Sequence, residues 1–120
     1  MVEQIEIKEP TNFDEKINDI VKNYSDKNIY VLFYGDWCPD CRNADPIINN
    51  YVGKKANNVL IKASVGSKID YQSSPYKRYS RIQLQRIPTL IKWSANQEND
   101  KRLVENQCED ENLLTEFFSD

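Results

Sequence analysis

The sequence predicts a single α/β domain over residues 1–120, with a central mixed β-sheet of about five strands flanked by about four helices. Three observations carry that expectation. Short β-rich apolar runs alternate with segments of helical spacing along most of the chain. The run IYVLFY (29–34) is apolar or aromatic throughout, as a strand covered on both faces must be. PTLIKW (88–93) and KRLVE (101–105) are joined by the turn SANQEND, which suits a hairpin.

VEQIEI (2–7) alternates Val2, Gln4 and Glu6 against Glu3, Ile5 and Ile7, and reads as a short edge strand. Phe13, Ile17, Ile20, Val21 and Tyr24 then recur at helical spacing. Asn12 followed by Glu15 has the form of a capping box, so the first helix is expected over about 12–24. IYVLFY is the central strand. Residues 38–52 suit a second helix that starts at Cys38, carries Pro39 in its first turn and kinks at Pro46. VLIKASV (59–65) is the third strand, and SPYKRYSRIQ (74–83) reads as a helix opened by proline. EDENLLTEFF (109–118) begins with acids, as a helix N-terminus favours, and supplies the last helix.

The composition narrows the function. Sixteen Lys and Arg against 19 Asp and Glu give a formal charge of −3, with no basic block. That balance disfavours nucleic acid and anionic membranes as partners. YKRYSR (76–81) interleaves bases with aromatics, but in a net acidic domain it reads as a packed helix. No segment approaches the roughly 18 apolar residues of a membrane span, and MVEQIEIKEP lacks a signal-peptide pattern. The expected compartment is the cytoplasm, where thiols are kept reduced. Histidine is absent, which removes every Ser-His, Cys-His and His-metal mechanism.

The chemistry centres on GDWCPDCR (35–42). A structural zinc takes about four Cys or His ligands. Cys38, Cys41 and the distant Cys108 cannot supply them, so no metal is expected. A permanent disulfide across so small a loop would stabilise little. A redox dithiol fits better. With a strand ending near Tyr34 and a helix starting near Cys38, unpaired N–H groups and the helix dipole favour a Cys38 thiolate, the reactive form. Cys41 sits one turn on, on the same face. Trp37 is placed to cover the site, and Asp40 adds a negative charge that opposes thiolate formation. Lys62 reads as a solvent-facing lysine, with a place beneath the dithiol as the alternative. Cys108 reads as a small residue near the last helix.

VLFYGDWCPDC, Pro46 and IPT (87–89) together resemble the thioredoxin superfamily. The Trp-Cys-Pro-Asp-Cys motif, VG at 65–66, RIPTLIKW, RLVENQCE and LLTEFFSD resemble a narrower group. That group is the cytosolic thioredoxin-related proteins of the thioredoxin domain-containing protein seventeen type. The resemblance covers essentially the whole chain and implies a thioredoxin fold with a cis Pro88. It implies a disulfide reductase with Cys38 as nucleophile and Cys41 as resolving thiol, joined as a disulfide when oxidised. Trp37, Pro39 and Asp40 would line or tune the site, and Ile87 and Pro88 would dock substrate. The electrons would come from NADPH through thioredoxin reductase, with no cofactor bound to this chain. Protein or small-molecule disulfides would be the substrates, and the chain would act as a monomer in cell redox homeostasis, including as a reductant for a peroxidase.

Two departures from that resemblance bear on mechanism. Leu32 stands where thioredoxins commonly carry a buried Asp, so water or Asp40 assists Cys41 or resolution slows. YGDW (34–37) is shorter than the narrower group's usual loop, which puts its substrate selectivity in question. A different class of function is a thioredoxin-fold binding or redox-sensing module without steady turnover.

Overall fold

A computed structural model describes residues 3–119; Val2 lies outside the described residues. The strands are β1 (Glu3–Ile7), β2 (Asn28–Tyr34), β3 (Asn58–Ser64), β4 (Thr89–Trp93) and β5 (Lys101–Val104). The helices are α1 (Phe13–Asn23), α2 (Pro39–Val52), α3 (Lys68–Gln72) and α4 (Glu111–Phe118). The sheet order is β1-β3-β2-β4-β5. β1 and β2 run parallel to β3, β4 is antiparallel to β2, and β5 returns antiparallel to β4 as the expected hairpin. This is the thioredoxin fold, with β2 at the centre.

Alternation along β2 divides the core. Ile29, Val31 and Phe33 face a layer that holds Phe13, Ile17 and Tyr76. Tyr30 and Leu32 face the opposite layer, with Ala44 and Ile48 of α2 and Leu114 and Phe117 of α4. Burial on both sides explains why β2 carries no polar alternation. Two buried layers clamp the strand from both sides, so its C-terminal end is a rigid base for whatever follows Tyr34.

The helix expected over 74–83 does not form. Pro75–Lys77 makes a single 3-10 turn, and the regular helix of this region is α3, earlier in the chain. Tertiary partners draw the 74–83 segment in different directions. Tyr76 enters the core edge-on to Phe13 and Phe33, Tyr79 bonds to Asp14, and Arg81 pairs with Asp100 at 2.7 Å. Gln83 then takes a φ of 42°, which a right-handed helix cannot use. The capping box expected at Asn12 is also absent. The 3-10 turn Pro10–Asn12 leads directly into α1, and the Asn12 side chain makes no capping bond. Pro46 lies inside α2, on an exposed part of that helix.

Candidate functional site

β2 delivers the chain to the site and α2 receives it. The turn between them closes with Cys38 N–H donating to the Gly35 carbonyl at 3.2 Å. Cys38 is the N-cap of α2, with extended backbone (φ −92°, ψ 115°), and Pro39 occupies the first helical position, where its missing N–H costs nothing. The Cys38 Sγ accepts the Cys41 N–H at 3.2 Å, so a thiol does the work that Ser or Asp does at other N-caps. The donated N–H and the N-terminus of a 14-residue helix both point at the Cys38 sulfur.

Cys38, Cys41 and Cys108 are all free thiols. Both sulfurs of the pair are buried: Cys38 is 6% exposed and Cys41 4%. Trp37 and Ile87 stand beside the first sulfur. What separates the two sulfurs is where they open. Cys38 borders a groove of about 510 Å³ with Trp37, Tyr71, Arg86, Ile87 and Glu105. Cys41 borders a different cleft of about 270 Å³, with Tyr34, Asp36, Arg42, Asp45 and Lys62. Burial, above all, pushes the Cys41 thiol well above the ordinary range, and the sulfur of Cys38 and the carboxylate of Asp40 act in the same direction.

The groove beside Cys38 is built from distant segments. The Ile87–Pro88 peptide is cis, and the Ile87 carbonyl lies 4.0 Å from Cys38 Sγ. Trp37 is pinned from three sides. Its indole N–H donates to the Gly66 carbonyl at 2.7 Å, its ring lies against Gly35, and Tyr71 packs on it with centroids 5.9 Å apart. A Cβ on Gly35 would come within 2.8 Å of that ring, so only glycine lets the indole lie this close. Arg86 and Glu105 pair across the groove at 3.3 Å. The Pro88 carbonyl accepts the Glu105 N–H at 2.7 Å, and the buried Cys108 thiol points to it from 3.8 Å.

Pro39 and Asp40 are exposed at the start of α2 and border neither opening. Lys62 is not a plain surface lysine. It stands on β3 opposite Leu32 in register, pairs with Asp45 at 2.6 Å and borders the Cys41 cleft. Leu32 is buried in the α2-side layer and brings no acid to the site. Sequence reasoning did not find Tyr71, Gly66, Arg86, Glu105 or Asp45. Asp45 was within reach, because it lies four residues after Cys41 on the same helix and therefore on the same face. Tyr71 and Gly66 depended on recognising α3, and the Arg86–Glu105 pair spans a separation no local pattern encodes.

Comparison with known proteins agrees with this geometry. Residues 6–120 match the family model described as thioredoxin domain-containing protein 17-like, thioredoxin domain. The chain is 30% identical over 115 residues to the mouse protein named thioredoxin domain-containing protein 17, covering 88% of this chain and 89% of that one. It is 39% identical over 64 residues to the thioredoxin-like protein Clot of Oryza sativa, covering 48% of this chain and 46% of that one. Among solved structures, a reduced thioredoxin pre-protein of Schistosoma mansoni superposes with a TM-score of 0.61 at 16% identity, covering 96% of this chain and 98% of that one. Oxidised thioredoxin O2 of Arabidopsis thaliana gives 0.65 at 14%, covering 97% and 95%. At those identities the structural likeness speaks for the fold. With the Cys38/Cys41 pair at the start of α2, the family match supports a thiol oxidoreductase in the general sense. The chain belongs to the thioredoxin domain-containing protein 17-like family of thioredoxin domains.

Proposed function

We propose that this protein is a disulfide reductase that cycles its Cys38/Cys41 dithiol. The observation that carries the reading is the Cys41 N–H donated to Cys38 Sγ at the α2 terminus, beside an open groove. Cys38 thiolate attacks one sulfur of a substrate disulfide and expels the other as a thiolate, leaving a mixed disulfide. Cys41 then attacks Cys38 Sγ, releases the second substrate sulfur and leaves a Cys38–Cys41 disulfide. Two electrons pass from the dithiol to the substrate. Ile87 and Pro88 dock the substrate chain next to Cys38, with Trp37 as the opposite wall. Pro39 and Asp40 tune the start of α2. Thioredoxin reductase and NADPH return the disulfide to the dithiol, so the chain itself needs no cofactor. A monomer in the cytoplasm, with neither nucleic acid nor membrane as partner, is sufficient for this cycle.

Turnover of a disulfide substrate with thioredoxin reductase and NADPH tests the reading. NADPH consumption dependent on this protein is the expected result. Cys41→Ser should halt as a stable mixed disulfide visible on non-reducing electrophoresis, and Cys38→Ser should form almost none. Trapping by Cys38→Ser as strong as by Cys41→Ser would reverse the roles. No turnover by the wild type and no trapping by either variant would leave a binding or redox-sensing module in its place.

A further inference from the structure

The second chemical step raises a problem that the first does not. Cys41 must lose its proton before it attacks, yet burial holds it in the thiol form. Leu32, buried on the α2 side of the sheet, supplies no base itself. The cleft that opens on Cys41 is lined by Tyr34, Gly35, Asp36, Arg42, Asp45 and Lys62, and its charged groups are few enough to take in turn. Tyr34 has its hydroxyl bonded to Glu6, and burial together with that carboxylate keeps it protonated. Asp36 is exposed beyond the end of β2, and its backbone carbonyl takes the Arg42 guanidinium at 3.3 Å. Asp40 is exposed at the helix start and is not part of the cleft wall. Asp45 remains. It follows Cys41 by one helical turn on the same face of α2, where side chains stand roughly 5–6 Å apart at Cβ. Its carboxylate is held by two partners: Oδ1 by the Lys62 ammonium at 2.6 Å and Oδ2 by the Asn49 amide at 3.1 Å. A carboxylate has about four lone-pair positions, so two remain for a further proton.

We propose that Asp45, aimed by Lys62 and Asn49, is the proton acceptor for Cys41 during resolution of the mixed disulfide. The proposal rests on the disulfide-reductase reading and adds the acid–base partner of that same site. The Cys41 proton passes to the Asp45 carboxylate, the resulting thiolate forms the bond to Cys38 Sγ, and the bond from Cys38 to the substrate sulfur breaks with the electron pair leaving on that sulfur. In the reverse direction Asp45 returns the proton as Cys41 leaves the disulfide. Cys38 opens to the substrate groove and Cys41 to the Asp45 cleft, so substrate and proton are handled on different sides of the α2 terminus.

Dithiobis(nitrobenzoate) separates the two steps, because attack by Cys38 releases one coloured thionitrobenzoate and resolution by Cys41 releases the second. In stopped-flow, Asp45→Asn should keep the first phase and slow the second by about a hundredfold at neutral pH, the low end of what a positioned base contributes. The slowed phase should also accelerate about tenfold per pH unit, because Cys41 must then ionise unaided; a merely structural role for Asp45 would not impose that slope. Asp45→Glu should recover much of the rate, and Asp36→Asn should leave both phases as in the wild type. A second phase in Asp45→Asn with the wild-type rate and pH profile overturns the proposal, as does a larger effect from Asp36→Asn. If the wild type itself releases one equivalent only, the reductase reading falls and takes this proposal with it.

Discussion

Three thiols in one small protein meet three different surroundings, and those surroundings assign their chemistry. Cys38 receives an N–H from Cys41 at the head of a helix and opens to a groove. Cys41 is one turn further in and held protonated. Cys108 is fully buried, directs its S–H to the Leu103 and Pro88 carbonyls, and has its pKa pushed up by burial to about 12. Iodoacetamide at neutral pH should therefore label Cys38 first, with Cys41 and Cys108 protected until the protein unfolds, as peptide mass spectrometry of the modified chain can establish. Early labelling of Cys108 would contradict its placement. The placement of Cys38 and Cys41 was readable from sequence because a strand, a short turn and a helix fix where two cysteines three apart must lie. The burial of Cys38 was not readable, since Ile87, which stands beside its sulfur, is 49 residues away.

α3 shows how much of the site hangs on a short element. Its five residues are started by Ser67, whose hydroxyl accepts the Asp70 N–H while the Asp70 carboxylate accepts the Ser67 N–H. That is a capping box, legible in SKID but passed over in favour of the longer 74–83 segment, where periodicity suggested a helix and tertiary partners prevented it. α3 carries Tyr71 to the groove and places Lys68 over the Trp37 ring at 5.7 Å. Ser67→Ala should cost about 1 kcal/mol in denaturant unfolding. Gly66→Ala should cost more, about 1–3 kcal/mol, because Gly66 has a φ of +80° and a Cβ there would lie 2.8 Å from the Asp70 carboxylate. The same substitution should loosen Trp37, whose indole N–H depends on the Gly66 carbonyl, and its fluorescence should shift toward that of an exposed indole. An unchanged unfolding midpoint in Gly66→Ala would show that the turn carries no such strain.

Taken together, the buried acids of the molecule make its stability fall in alkali. Cys108 is raised from its ordinary 9.0 to about 12, and burial raises Tyr76 and Cys41 in the same direction. Such groups ionise in the unfolded chain first. The folded state then holds more protons, and stability is lost as pH climbs from about 9 for the two thiols and about 10 for Tyr76 through each folded value, by about 1.4 kcal/mol per pH unit for each group. Thermal melts should be level near neutrality and drop above pH 9, and Cys108→Ala should make that drop shallower whatever it does to the neutral midpoint. An identical alkaline slope in the variant would mean that Cys108 is not held protonated. The five-strand layout was legible because each strand is a local apolar run, whereas the pairing of Lys62 with Asp45 and of Arg86 with Glu105 arises only once the sheet and helices are assembled.

The order β1-β3-β2-β4-β5 leaves β1 and β5 as the two rims of the sheet, with one side of each backbone unpaired. Both rims are short, at five and four residues, and both carry exposed charge: Glu3 and Glu6 on one, Lys101 and Arg102 on the other. A second copy stacking β1 on β1 would set carboxylates beside carboxylates, and β5 on β5 would set cations beside cations. The apolar β2, whose sequence is the kind that assembles into fibrils, is kept at the centre where no neighbour can reach its edges. The same strand order that mounts the cysteine pair on a rigid base thus also guards the chain against cross-β growth.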